Sequence, residues 1–158
     1  LREGVADDVR CSRNQATLET VMAEQVVVQG LVEVPQSEIA LLLESGYLYM
    51  EMQKYKEAEE IFAGVAALVP HSEVPLVCLG NLAVSQGKCD RALRHHKEAL
   101  QRQPKSALAE AHQGEVLIFL KKKDEARAAL KRAVELEPEG PSGAFARSLL
   151  DGLAAEVI

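Results

Sequence analysis

No tryptophan occurs among the 158 residues, and phenylalanine and tyrosine supply only three each. A core without large rings has to be filled by Ala, Leu and Val, the bulk of a 47% hydrophobic content that suits helices interlocking through small and medium side chains. Cysteine is equally sparse: Cys11, Cys78 and Cys89 cannot all pair within the chain and match no disulfide framework, so a reducing, cytoplasmic compartment is expected. Basic charge is in deficit, with 18 Lys and Arg against 24 Asp and Glu and a formal net charge of -6. That balance gives no electrostatic footprint for nucleic acid, which would need a basic face to neutralise phosphates, and argues against it as a partner. The one basic run, Lys121-Lys122-Lys123, falls where a turn is expected and reads as solvated. No apolar run approaches the ~18 residues of a membrane span, and no charged-then-apolar signal segment opens the chain as given, so membrane insertion is not expected. The length suits one well-buried domain.

What is present is a period. Gly46, Gly80 and Gly114 are followed in the same order by Ala58, Ala92 and Ala126, then by Pro70, Pro104 and Pro138, every step being 34 residues. Three residue types sharing one spacing mark an internal repeat, and this period is that of a two-helix solenoid unit. Each unit opens alike, with Pro35-Gln36-Ser37, Pro70-His71-Ser72 and Pro104-Lys105-Ser106. Proline stops one helix, and the serine is positioned to cap the next by accepting a bond from a free backbone N–H. The pattern predicts first helices at about 38–52, 73–86 and 107–120 and second helices at about 56–69, 90–103 and 124–137. Because Ser37 precedes its glycine by nine positions where Ser72 and Ser106 precede theirs by eight, the first helix should be the longer.

Outside the units, residues 1 to 15 carry many charges and few large apolar groups and are expected to fray. From Ala16 to Val34 apolar residues at spacings of three and four favour a helix. After Pro138, the stretch Glu139-Gly140-Pro141-Ser142 reads as a break, followed by a helix whose Phe145, Leu149, Leu150, Leu153 and Val157 share one face and can close the stack. The expected organisation is a leader over 1–34 and an array over 35–158, with units at about 37–70, 73–104 and 107–138 and a capping helix at about 142–156.

The frame resembles the tetratricopeptide repeat. The first unit supplies Leu42, Gly46, Tyr49, Ala58, Phe62, Val65 and Pro70; the second Leu76, Gly80, Ala83, Ala92, His96, Ala99 and Pro104; the third Glu110, Gly114, Leu117, Ala126, Leu130, Ala133 and Pro138. Small residues fit everywhere, whereas Glu110 and His96 depart from the expected hydrophobes. The resemblance implies an all-α fold, an α-solenoid coiled as a right-handed superhelix of three such repeats with an N-terminal helical segment and a C-terminal capping helix. It also implies that first helices line a concave groove through positions two, five, nine and twelve. These are Ala40, Leu43, Tyr47 and Met50; Val74, Val77, Asn81 and Val84; Leu108, Ala111, Glu115 and Ile118. This partner-binding set is apolar, with one carboxylate, one amide and no cation. Positions that would match the clamp of heat-shock co-chaperones hold Leu43, Tyr47, Cys78, Leu108 and His112, which argues against that role. Tyr47 is the expected anchor, since an aromatic offers area with a polar handle.

An exposed apolar concavity calls for an occupant. One candidate is an apolar or amphipathic segment of another protein; the other is the chain itself, through its 16–34 segment or a second copy forming a homodimer. The run Leu43-Glu44-Ser45-Gly46-Tyr47, with Ala58-Glu59-Glu60-Ile61-Phe62 and Pro70, is similar to the first repeat of the tetratricopeptide chaperones of type III secretion, which implies holding needle or translocator subunits before export. Catalysis is not expected: no glycine-rich phosphate loop, Gly-x-Ser-x-Gly elbow or metal-spaced histidine pair appears. Cys89, His95 and His96, with Cys78 or His112, invite a zinc reading. Yet adjacent helical histidines diverge by about 100° and no pair has common zinc spacing. His96 stands where an aromatic packs, and Cys78 among Leu76, Val77 and Leu79 reads as a small buried hydrophobe. No metal or cofactor is expected.

Overall fold

A computed structural model describes residues 34–155; the helix expected over 16–34 and the last residues of the capping helix, Val157 included, lie outside them. The described residues form seven helices and no strand: α1 Gln36–Glu51, α2 Tyr55–Leu68, α3 Val74–Ser85, α4 Cys89–Arg102, α5 Ala107–Phe119, α6 Lys123–Leu136 and α7 Pro141–Ala154. Each packs on its successor, and the first helices of neighbouring units also touch, α1 on α3 and α3 on α5. This is the all-α helical repeat the period predicts. At 16 residues α1 is the longest, as the serine spacing indicates, against 12 for α3 and 13 for α5.

Close approach explains the small-residue frame. A methyl group added at Gly46 would clash with the ring of Phe62, at Gly80 with the ring of His96, and at Gly114 with Leu130 at 2.6 Å. In every unit the glycine of the first helix thus receives the bulky residue sixteen positions later on the second, and any side chain there would push the pair apart. Ala58, Ala92 and Ala126 are fully buried at the same contact.

The turns repeat as faithfully. Gln53, Gly87 and Lys121 sit 34 residues apart, each with positive φ (59°, 70° and 61°). Around each, two backbone bonds close the helix end: Lys54 N–H to Tyr49 O and Gln53 N–H to Met50 O, Lys88 to Ala83 and Gly87 to Val84, Lys122 to Leu117 and Lys121 to Ile118. This double bond pattern consumes carbonyls that would otherwise be left unpaired at a helix terminus.

Helix starts differ from the serine-cap expectation. Only Ser106 is a full cap, its hydroxyl accepting from Ala109 N–H at 3.1 Å and donating to Glu73 at 3.0 Å. Ser72 accepts from Val74 N–H at 3.3 Å, with Glu73 between it and the helix. Ser37 lies inside α1, whose first turn begins directly at Pro35. Pro141 is the first residue of α7 rather than part of the break, a place where its missing N–H costs nothing; the Ser142 N–H is taken up by the Glu137 carboxylate at 2.9 Å.

The two ends of the described array are unlike. At the C-terminal end α7 lays Ala146 and Leu153, both buried, with Phe145, Leu149 and Leu150 against the core of α5 and α6. At the other end Leu41 is 63% exposed and Leu48 58%. One and two units on, the same positions are Pro75 and Leu82, then Ala109 and Val116, all buried. There they pack against the second helix of the preceding unit, α2 or α4; among the described residues α1 has no such neighbour.

Candidate functional site

The sequence expectation turns positions two, five, nine and twelve of each first helix towards a ligand, and contact between successive first helices sets how deep each of them lies. Ala40, Leu43 and Val74 come together, with Gln36, Ile39, Ser72 and Pro75, around a pocket of about 160 Å³ between the N-terminal ends of α1 and α3. Ala40 is exposed, Leu43 and Val74 half-buried. One turn further, Tyr47 and Asn81 meet across the units: the Asn81 amide donates to the Tyr47 hydroxyl at 3.2 Å. Tyr47 also stands edge-on to Phe62 with ring centres 5.3 Å apart. Burial raises the Tyr47 phenol well above its ordinary pKa, and the neighbouring Cys78 adds to the rise. Cys78 is itself raised, again chiefly by burial, so both stay protonated at neutral pH. Met50 continues the row, its sulfur accepting from the Ser85 hydroxyl at 3.6 Å.

Deeper positions behave differently. Val77, Ala111 and Ile118 are buried within the core clusters, so these three expected groove residues are closed off from direct contact with a ligand. Val84 and Leu108 are half-buried and pack against core clusters. Glu115 and its neighbour His112 are in hydrogen-bond contact, Nδ1 to a carboxylate oxygen at 3.2 Å, with side chains 27% and 21% exposed. The His112 ring is held between His96, stacked at 6.0 Å, and Phe145 of α7 at 5.3 Å.

Sequence reasoning missed Ile39, Ser72 and Pro75 as pocket wall, because they lie on the flank where α1 meets α3 rather than on the four inward positions. It also missed Ser85. The surviving signal was available for Cys78 and His112: both occupy position six, and each adjoins a position-nine residue of the groove, Tyr47 and Glu115. His96 is fully buried with both ring nitrogens unbonded; burial first, then the charges of His112 and His95, lower its pKa to about 3. It is a neutral packing group, consistent with the aromatic position it fills. Among the described residues no three His, Cys, Asp or Glu side chains gather as a metal-ligand set, and no helix is long and apolar enough to cross a membrane.

Profiles of the tetratricopeptide repeat match residues 40–72 and 79–144, which span the three units and reach into α7. The chain belongs to the tetratricopeptide repeat family. Human tetratricopeptide repeat protein 7A is 31% identical over 131 residues, 82% of this chain, although the chain spans about 15% of that relative's length. Among solved structures, the Yersinia enterocolitica type III secretion chaperone SycD in complex with a peptide of the translocator YopD superposes with a TM-score of 0.63 at 19% identity, covering 80% of this chain and all of SycD. The first tetratricopeptide domain of Spaghetti (RPAP3), bound to an HSP90 peptide, gives 0.60 at 22% identity, with 78% and 98% covered. At these identities the likeness establishes the fold, and both structures hold peptides.

Proposed function

We propose that this tetratricopeptide array is a non-enzymatic, cytoplasmic protein-binding module that holds an apolar segment of a partner in the groove formed by α1, α3 and α5, as a chaperone for type III secretion needle or translocator subunits. The observation that carries the reading is the pocket between α1 and α3, walled by Ile39, Leu43, Val74 and Pro75 with no charged side chain, continued by Tyr47 and Met50. An apolar side chain seated there leaves water against a mainly apolar wall, with Gln36 and Ser72 as its polar members. The likeness to SycD supports the secretion role, and positions matching the heat-shock clamp carry no cation.

The test is retention of an identified secretion subunit from the matched bacterial lysate by the purified full chain, with mass spectrometry of what is retained. Leu43→Glu combined with Tyr47→Ala should abolish retention while the helical circular dichroism persists. A charge at Val77 is unsuitable, because that side chain is buried and its loss would report folding. Retained binding in the double variant, or no secretion subunit bound, rejects the reading.

A second reading, a generic repeat scaffold or self-associating assembly protein, is favoured by the exposed Leu41 and Leu48 on α1. Light scattering tests its self-associating form: a dimer of the full chain dispersed by Leu48→Glu supports self-association through this face, and a monomer excludes self-association.

A further inference from the structure

We infer that the segment bound in this groove is not uniformly apolar but carries a lysine or arginine that meets Glu115, about five or six residues from the side chain that fills the α1–α3 pocket. The inference rests on the groove reading above and specifies the chemistry of the occupant. Of the twelve groove positions Glu115 is the single carboxylate, and none carries a cation. Its polar contact is His112 on its own helix, 3.2 Å away, and that ring is fixed between His96 and Phe145. Both His112 and Glu115 are only partly exposed, so a bound segment that reached α5 would strip the carboxylate of its remaining water.

Two outcomes follow for a segment crossing α5. A wholly apolar one leaves Glu115 desolvated with one weak partner, which opposes binding. A cationic side chain replaces the lost water with a charge-assisted hydrogen bond, which is short and strong in a half-buried site. Glu115 therefore rejects one class of segment and favours the other, as a specificity element does. The spacing follows from the array. Glu115 lies two first helices from α1 and seven residues along the helix axis from the position-two residues at the pocket. With adjacent axes about 10 Å apart and a rise of 1.5 Å per residue, the separation is on the order of 15–20 Å. An extended chain covers that distance in about five or six residues.

The experiment is selection of a phage-displayed library of random 16-residue peptides on four purified full-length proteins: the wild-type chain, Glu115→Gln, Glu115→Lys and Glu125→Gln. Glu125 is an exposed carboxylate of α6 paired with Lys122, so its variant matches the change in net charge without touching the groove. Wild type and Glu125→Gln should enrich peptides with a large apolar residue and a Lys or Arg five or six residues away. On Glu115→Gln the cation should lose its enrichment while the apolar residue keeps it, and a selected peptide should bind about tenfold more weakly, as expected for removal of one charge-assisted hydrogen bond. Glu115→Lys should enrich Asp or Glu instead. Equal cation enrichment on wild type and Glu115→Gln, or wholly apolar peptides binding both equally, overturns the inference and leaves the groove standing. Selected peptides that bind a fifth protein, Leu43→Glu, as tightly as the wild type, or a library that yields no binder, overturn the groove reading itself.

Discussion

At the scale of single residues, His96 is the position where the chain departs most from its own pattern. Phe62 and Leu130 do the same packing against Gly46 and Gly114 without a titratable group. His96 is neutral in the fold, with its pKa lowered to about 3, whereas the unfolded chain takes up a proton near 6.5. A depressed pKa of this kind leaves stability intact above 6.5 and erodes it as pH falls towards 3, by about 1.4 kcal/mol per unit. His96→Phe should therefore remove about 2 kcal/mol of the loss between pH 6.5 and 5, read as urea midpoints at the two pH values; parallel pH profiles for the variant and wild type would assign the acid sensitivity elsewhere. Glu110 is the other departure, and it is buried because Arg132 grips it with two bonds of 2.8 and 2.9 Å. Those bonds, above all, raise the Arg132 guanidinium further from deprotonation. Arg132→Ala should cost about 1–3 kcal/mol by leaving the carboxylate short of partners, while Glu110→Leu, the residue type of Leu42 and Leu76, should be neutral or stabilising. The period places Glu110 in the core but is silent on its partner, which lies 22 residues away in a different helix. Depth was hidden in the same way: Leu43, Val77 and Ala111 share position five, yet Leu43 is half-buried while the other two are closed over, since burial depends on neighbours that the repeat count does not describe.

At the scale of elements, helix ends separate what the sequence states from what only backbone geometry reveals. The prolines and the glycine at Gly87 mark turns openly, but nothing in Gln53 or Lys121 announces a left-handed residue; only their 34-residue spacing from Gly87 does. Side chains in that conformation cost about 1–2 kcal/mol, so Lys121→Gly and Gln53→Gly should each raise stability by up to about 1 kcal/mol once the greater freedom of an unfolded glycine is subtracted. Gly87→Ala should lower it by a similar amount. Differential scanning calorimetry of the three variants would show two melting temperatures up and one down, and a uniform fall would mean that the lysine and glutamine side chains contribute more than their backbone strain costs. The three serines that look alike in sequence make a second comparison. Ser106→Ala should lose about 1 kcal/mol because its hydroxyl caps α5. Ser37→Ala, inside α1, should change stability by less than about 0.5 kcal/mol. The difference arises because Pro35 leads directly into α1, whereas Pro104 is followed by a short turn that brings Ser106 to the cap position.

At the scale of the molecule, a repeat array is stabilised mainly between nearest neighbours, so each helix draws protection from what lies on either side of it. Helix α3 has buried residues at eight of its twelve positions, wedged between the first and third units, whereas α1 has one, Gly46. The C-terminal end is closed by α7, whose Leu153 and Ala146 complete the core of α5 and α6. Removing α7 should expose that core, lower the melting temperature and promote association. Leu153→Ala alone should cost about 2–4 kcal/mol through the cavity it leaves. Opening free energies should then form a gradient, with α3 to α6 the slowest to exchange backbone hydrogens and α1 the fastest of the described helices. Hydrogen exchange followed by mass spectrometry, peptide by peptide, measures this directly. Leu41 and Leu48 make α1 the informative element, since Leu82 and Val116 at the equivalent site are covered by a neighbouring helix and Leu48 is 58% exposed. Protection of α1 equal to that of α5 would mean that its outer face is covered in solution as theirs are. Faster exchange in α1 would instead mean that its outer face is open to solvent.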